Sequence, residues 1–142
     1  MNTKDLLEKY ALGNRNFATI DLRDRYLSWR DLKGIDLSYA DCSLSILEGV
    51  DFTAAYLIET NFARADLTVA NLFHANLCSA DLSVADLRGA SLAQANLLGA
   101  NLRCASLAGA DLSGAIMPDG TVMPADMVLR HQRELNLVAR FC

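Results

Sequence analysis

Residues 70–89 read ANLFHANLCSADLSVADLRG, and leucine returns at every fifth position: Leu72, Leu77, Leu82 and Leu87. That spacing fits neither the ~3.6 of an amphipathic helix nor the ~2 of a strand. Followed outward, the register runs from Phe17 to Met117 without an insertion, through 21 units of which 16 are centred on Leu. The other centres are Phe17, Cys42, Phe52, Phe62 and Met117. Two residues before the centre stands Ala in 13 units, including every unit from Ala65 to Ala115. Directly before the centre, 15 units carry Asp or Asn, so the consensus is A-[DN]-L-x-x.

Alternation gives each unit its physics. In an extended segment residues two apart share a face, so Ala and Leu point inward and the Asp or Asn between them points out. The last two positions must turn the chain. Six units end in glycine, among them Gly34, Gly49 and Gly89, as expected of corners that need a positive φ. An Asp or Asn beside the corner can accept hydrogen bonds from nearby backbone N–H groups. Each unit is then a very short strand plus a corner, and a series of them winds into a coil. Successive coils stack about 4.8 Å apart, and only stacking buries each Leu, worth roughly 1.5–3 kcal/mol apiece.

The run resembles the pentapeptide-repeat family, over about 100 of the 142 residues. The resemblance implies an all-β solenoid, a right-handed quadrilateral β-helix with four sides per coil. On that geometry the units make about five coils, a rod of roughly 25 Å. Three regions follow: an N-terminal capping helix in 1–14, the β-helix in 15–117, and a turn with a C-terminal capping helix in 118–142. A solenoid exposes raw backbone at both ends and needs such caps. Thr3 is read as capping a helix through Ala11 that stops at Gly13, with Leu6, Leu7 and Tyr10 over the first coil. MPDGT (117–121) breaks the repeat, and the segment after it reads as a helix opened by Pro124, with Val128, Leu135 and Val138 facing the last coil. This stop followed by a helix also resembles bacterial, often cyanobacterial, members of the family. In the first coil Arg25 and Arg30 hold positions that should point inward and Tyr26 replaces an Asp or Asn, so the arginines are expected to reach out or to pair with Asp24 or Asp31.

The composition narrows function by exclusion. A net charge of −4 argues against direct nucleic-acid binding, which uses clustered Lys and Arg. No apolar run approaches the ~18 residues of a membrane span, and the charged start MNTKDLLEKYALG does not read as a signal peptide. Cys42, Cys78, Cys104 and Cys142 form no C-x-x-C pair, so reduced thiols in a cytoplasmic protein are expected. His74 and His131 lie in different elements without metal-ligand spacing, and the glycines recur at the repeat period rather than in a phosphate-binding loop. Leu and Ala fill the interior and leave no pocket of the kind small ligands need. No catalytic residue, cofactor or metal is expected, and the chain is read as non-enzymatic.

Function then falls to the outer faces. Aligned every 20 residues, Tyr39, Tyr56, Ile58, Cys78 and Leu98 share one face, with Phe73 at the adjoining corner. Contiguous exposed apolar surface marks contact sites, here for a protein partner or for a second copy in a homodimer. A second candidate is an acidic belt of Asp36, Asp41, Glu48, Asp51, Glu59, Asp66, Asp81 and Asp86, opposed only by Arg64. The resemblance to quinolone-resistance members of the family implies that such a belt could mimic DNA and bind gyrase, a type II topoisomerase. Six of the eight acids are the ordinary Asp of the repeat, and the basic first coil dilutes the mimicry. The leading reading is a scaffold that presents rigid flat faces to a protein partner.

Overall fold

The computed structural model describes residues 1–129. Parallel bridges join each residue before a centre to the residue 20 positions later, as in the ladder Asn16, Asp36, Tyr56, Asn76, Asn96 and Ile116. Twenty residues, four units of five, therefore make one turn of the coil. Each wall is so short that it contributes one bridge residue. Two N–H groups per unit donate to the coil that follows, as Leu67 does to the Asp86 carbonyl (2.8 Å) and Val69 to the Arg88 carbonyl (3.0 Å). A third, Asp66 N–H, donates back to the Ser45 carbonyl at 3.0 Å.

From Leu22 to Ala115 every corner closes in the same way. The N–H of Ala70 donates to the Leu67 carbonyl at 3.1 Å, and Val69 between them has a φ of 51°. Positive φ in the third residue of a four-residue turn is the type II arrangement, which glycine enters without strain. Here most corners use other residues, including β-branched Val69 and Val84. A non-glycine residue in that region costs about 1–2 kcal/mol, which the stacked ladder must offset. The Asp or Asn of each unit helps. Its Oδ1 accepts from the N–H two residues on, as Asp66 does from Thr68 at 3.0 Å and Asn61 from Ala63 at 2.9 Å.

Leu and Ala from all four walls fill the interior, as the alternation requires. The Phe52 and Phe62 rings meet across it with centroids 6.1 Å apart. Thr60 stands in an inward Ala position and satisfies its hydroxyl by donating to the Leu37 carbonyl at 2.8 Å. At the start, helix α1 spans Thr3–Ala11. Asn2, rather than Thr3, is its N-cap, and its side chain accepts from the Asp5 N–H at 2.8 Å. Gly13, at φ +99°, stops the helix by donating to the Tyr10 carbonyl while Asn14 donates to that of Lys9. Leu6 is fully buried, and Leu7 and Tyr10 pack at the edge of the core.

The other end departs from the sequence reading. Pro124 opens no helix within the described residues: the chain from 121 to 129 runs back antiparallel along the last coil. The upper edge there presents N–H groups that want acceptors, and an extended segment supplies them. Met117 donates to Thr121, Gly114 to Pro124, Leu112 to Met127 and Gly109 to Leu129. Pro124 fits because only its carbonyl is used. Val128, expected to face the coil, is half exposed, and its neighbour Leu129 is buried instead. The remainder of the expected helix, with Leu135 and Val138, lies outside the described residues.

Candidate functional site

Walls are labelled A to D by their centres, with Leu37 on wall A, Cys42 on B, Leu47 on C and Phe52 on D, and every twentieth residue returning to the same wall. The residue after each centre and the corner residue after it point outward, because the Asx turn and the positive φ aim them away from the core. Together with the outward Asx position, these positions supply the candidate surface.

Wall A gathers five of the six apolar residues singled out in the sequence. Ile58, Cys78 and Leu98 follow their centres in three successive coils, and their backbones are joined: Tyr39 N–H donates to the Ile58 carbonyl, Glu59 N–H to that of Cys78 and Ser79 N–H to that of Leu98. Tyr56 bridges Asp36 and Asn76 on the same wall. Tyr39 and Tyr56 are 58% and 54% exposed and Leu98 49%, with Ile58 and Cys78 half-buried beside them. Phe73 sits on wall D at the corner leading to wall A, its ring edge-on to His74 at 4.2 Å. In Tyr56 the chain places an aromatic ring where the repeat puts an Asx acceptor, so the Ile58 N–H has no such cap. That exchange forgoes roughly 0.5–1.5 kcal/mol of hydrogen bonding.

The acidic belt is not gathered. Asp36 and Glu59 lie on wall A, Asp41 and Asp81 on B, Glu48, Asp66 and Asp86 on C, and Asp51 on D. All six aspartates cap their own turns through Oδ1. Three also meet cations: Asp86 with Arg88 at 2.6 Å, Asp51 with Lys33 at 3.6 Å and Asp41 with Arg23 at 3.9 Å. The hydrogen bond from Arg88 holds the Asp86 carboxyl below the usual carboxylate range. These acids serve turn geometry first and encircle the rod rather than forming one charged face.

A second outward cluster escaped the sequence reading because its members fall in different positions of the repeat. Tyr26 (70% exposed) and Ile46 occupy Asx positions on wall C and bridge each other. Trp29 (67% exposed) stands at the next corner and Leu44 at the preceding one, a coil on. The signal that could have found it is the pair of missing Asp or Asn residues on one wall. Arg25 and Arg30 do point outward, and neither pairs with Asp24 or Asp31 among the described residues.

For chemistry there is little to assemble. Among the described residues, no group of three His, Cys, Asp or Glu could hold a metal. Cys42 is buried, which pushes its thiol well above the ordinary range and leaves it inert. Cys78 is also free, but Cys104 is disulfide-bonded, contrary to the expectation of four reduced thiols. Spacing along a chain does not reveal which sulfurs approach within bonding distance. No helix among the described residues is long and apolar enough to cross a membrane.

The comparisons agree with this geometry. A family model described as "Pentapeptide repeats" matches eight copies over residues 45–83 and 80–117. The crystal structure of Rfr23, a pentapeptide repeat protein from the cyanobacterium Cyanothece 51142, is 30% identical, with 84% of this chain and 97% of that one covered and a TM-score of 0.65. The pentapeptide repeat protein alr5209 from Nostoc Pcc 7120 is 40% identical over 87% of this chain and 85% of its own, at a TM-score of 0.44. QnrB1, a plasmid-mediated fluoroquinolone resistance protein, shares the fold at 17% identity, covering 70% of this chain and 64% of its own with a TM-score of 0.53. Among curated proteins, no sequence matches this chain.

Proposed function

Because the chain belongs to the pentapeptide-repeat family, we propose that it acts without catalysis, as an interaction module offering flat, rigid faces to a protein partner. Proteins of this family fold as right-handed quadrilateral β-helices and are generally structural or interaction modules. The observation that carries the reading is the wall A column, where Tyr39, Tyr56, Ile58, Cys78 and Leu98 run together outward over a frame whose interior is filled. A partner that covers them gains contiguous apolar contact without having to order the surface first. The test is the double variant Ile58→Lys with Leu98→Glu. It should abolish co-purification of partners, or self-association, while the circular dichroism spectrum stays as in the wild type. Undiminished capture would remove wall A from the proposal.

A second reading, a DNA mimic directed at gyrase, draws on the net charge of −7 between Asp36 and Asp86. The spread of those acids over four walls and their use as turn caps weigh against it. Excess protein added to a DNA supercoiling reaction decides the matter: neither inhibition nor protection of the enzyme rejects the mimic.

A further inference from the structure

Apart from Arg15, which donates to the Tyr10 carbonyl and lies over the Tyr10 ring, the polar and aromatic departures of the first coil from the repeat gather at one place, the open lower edge of wall C. Arg25 stands in an inward Ala position just before it, Tyr26 in its Asx position, Trp29 at its far corner, and Arg30 in the next inward position. All four are exposed. With Tyr26 in place of an acceptor, the Ser28 N–H loses its cap, and the buried Ser28 hydroxyl has no partner among the described residues. Trp29 is held in place. Its indole lies so close on Gly49 of the following coil that a Cβ there would fall 2.1 Å from Trp29 Cε3. Ile46 flanks Tyr26 through their bridge.

Three further properties describe what would fit. The Tyr26 N–H and the Tyr26 and Ser28 carbonyls have no partner among the described residues, so a bare β-edge faces downward here. A groove of about 490 Å³ lies beside it, between α1 and the coil, lined by Thr3, Lys4, Leu7, Glu8, Ala11 and Arg30. Finally, Arg25 and Arg30 form no ion pair with a described residue, whereas their neighbours Arg23 and Lys33 are paired with Asp21 and Asp31.

We propose that this edge receives an extended, acidic segment of a partner protein. The backbone of the segment adds a strand beneath Tyr26, its carboxylates meet Arg25 and Arg30, and an apolar side chain rests on Tyr26 and Trp29. Strand addition to an open edge supplies main-chain hydrogen bonds and leaves specificity to the flanking side chains. Tyr, Trp and Arg are the residue types that dominate interface energies, and a ring already fixed on Gly49 loses little freedom on binding. A second copy is a poor occupant for this edge. Its own upper edge is already bonded to the 121–129 segment over walls A, C and D. The assignment rests on the interaction-module reading but does not depend on wall A.

The probe is a display library of random twelve-residue peptides selected on the full chain. Selected peptides should be rich in Asp and Glu around an aromatic or aliphatic residue, and one of them should slow hydrogen exchange at the Tyr26 amide. Arg25→Glu with Arg30→Glu should weaken that peptide at least about tenfold. Gly49→Ala, which keeps every contacting residue but dislodges the indole, should weaken it about threefold or more. Ile58→Lys with Leu98→Glu should leave it unchanged, which separates failure of this site from failure of the wall A reading. Absence of enrichment, selection of basic peptides, an unprotected Tyr26 amide, or competition by single-stranded oligonucleotides would overturn the proposal. So would self-association in sedimentation that Trp29→Ala abolishes.

Discussion

The regular coils and the first coil use the same five-residue frame and differ in what they ask of its side chains. From Ala65 to Ala115 every inward position before a centre is Ala, and eight of the eleven units carry Asp or Asn as a cap. In the first coil three inward positions hold exposed arginines, Arg15, Arg25 and Arg30, and one cap is a tyrosine, yet the ladder above them is intact: Leu27 donates to Ile46 and Trp29 to Glu48, both at 2.9 Å. Side chains therefore matter most where another coil lies on both sides. At the open edge the frame tolerates replacement, and the positions freed from architecture become available for contact.

Substitutions can break or sharpen this contrast. The largest effect is expected from Leu77→Lys, which buries an unpaired charge between two coils and should cost about 4 kcal/mol or more in chemical denaturation. Arg25→Ala, at an inward position of the first coil, should change stability by less than about 0.5 kcal/mol. Comparable losses for the two would show that the first coil is as closely packed as the rest. Next comes capping. Asp66→Ala strips the acceptor from the Thr68 N–H and hydroxyl and should cost about 1 kcal/mol, whereas Tyr26→Ala removes no cap and should be near neutral. Ser79→Lys, at an exposed corner that is already in positive φ, should stay within about 0.5 kcal/mol of the wild type.

The smallest effect concerns acid. Arg88 lowers the Asp86 pKa, so the pair adds stability that is present above the ordinary carboxylate range and fades as the pH falls through the depressed folded value. Arg88→Ala should lower Tm by about 1 °C at neutral pH and erase that difference well below about pH 4. A Tm difference that persists at pH 2 would assign the role of Arg88 to packing of its stem instead.

Much of the frame was legible because one rule repeats. Spacing alone gave the inward and outward faces, and Asp or Asn beside a corner announced its hydrogen bond before any distance was known. The corners were less legible. Glycine marks six of them, and nothing in Val84 or His74 signals a left-handed residue; the demand comes from the coil, which outvotes local preference. The upper end was misread because PADMV suits the start of a helix when taken alone. Only the N–H groups waiting along the last coil decide for an extended chain. Wall A could be assembled by counting in twenties. In the Tyr26 and Trp29 cluster the same count reaches only Tyr26 and Ile46, while Trp29 and Leu44 join them from two different corners.

The twenty-residue register described for the bridges also fixes how such a chain can change length. Loss of one five-residue unit anywhere between Ile58 and Cys78 would leave the inside and outside of every later wall intact, and the coil would still close. It would, however, turn everything downstream by a quarter of a revolution, carrying Cys78 and Leu98 from wall A to wall D and away from Ile58. Only gains or losses of a whole revolution lengthen the rod without rotating one end against the other. The protein is in this sense a dial with four settings, and its present outer surface belongs to one of them.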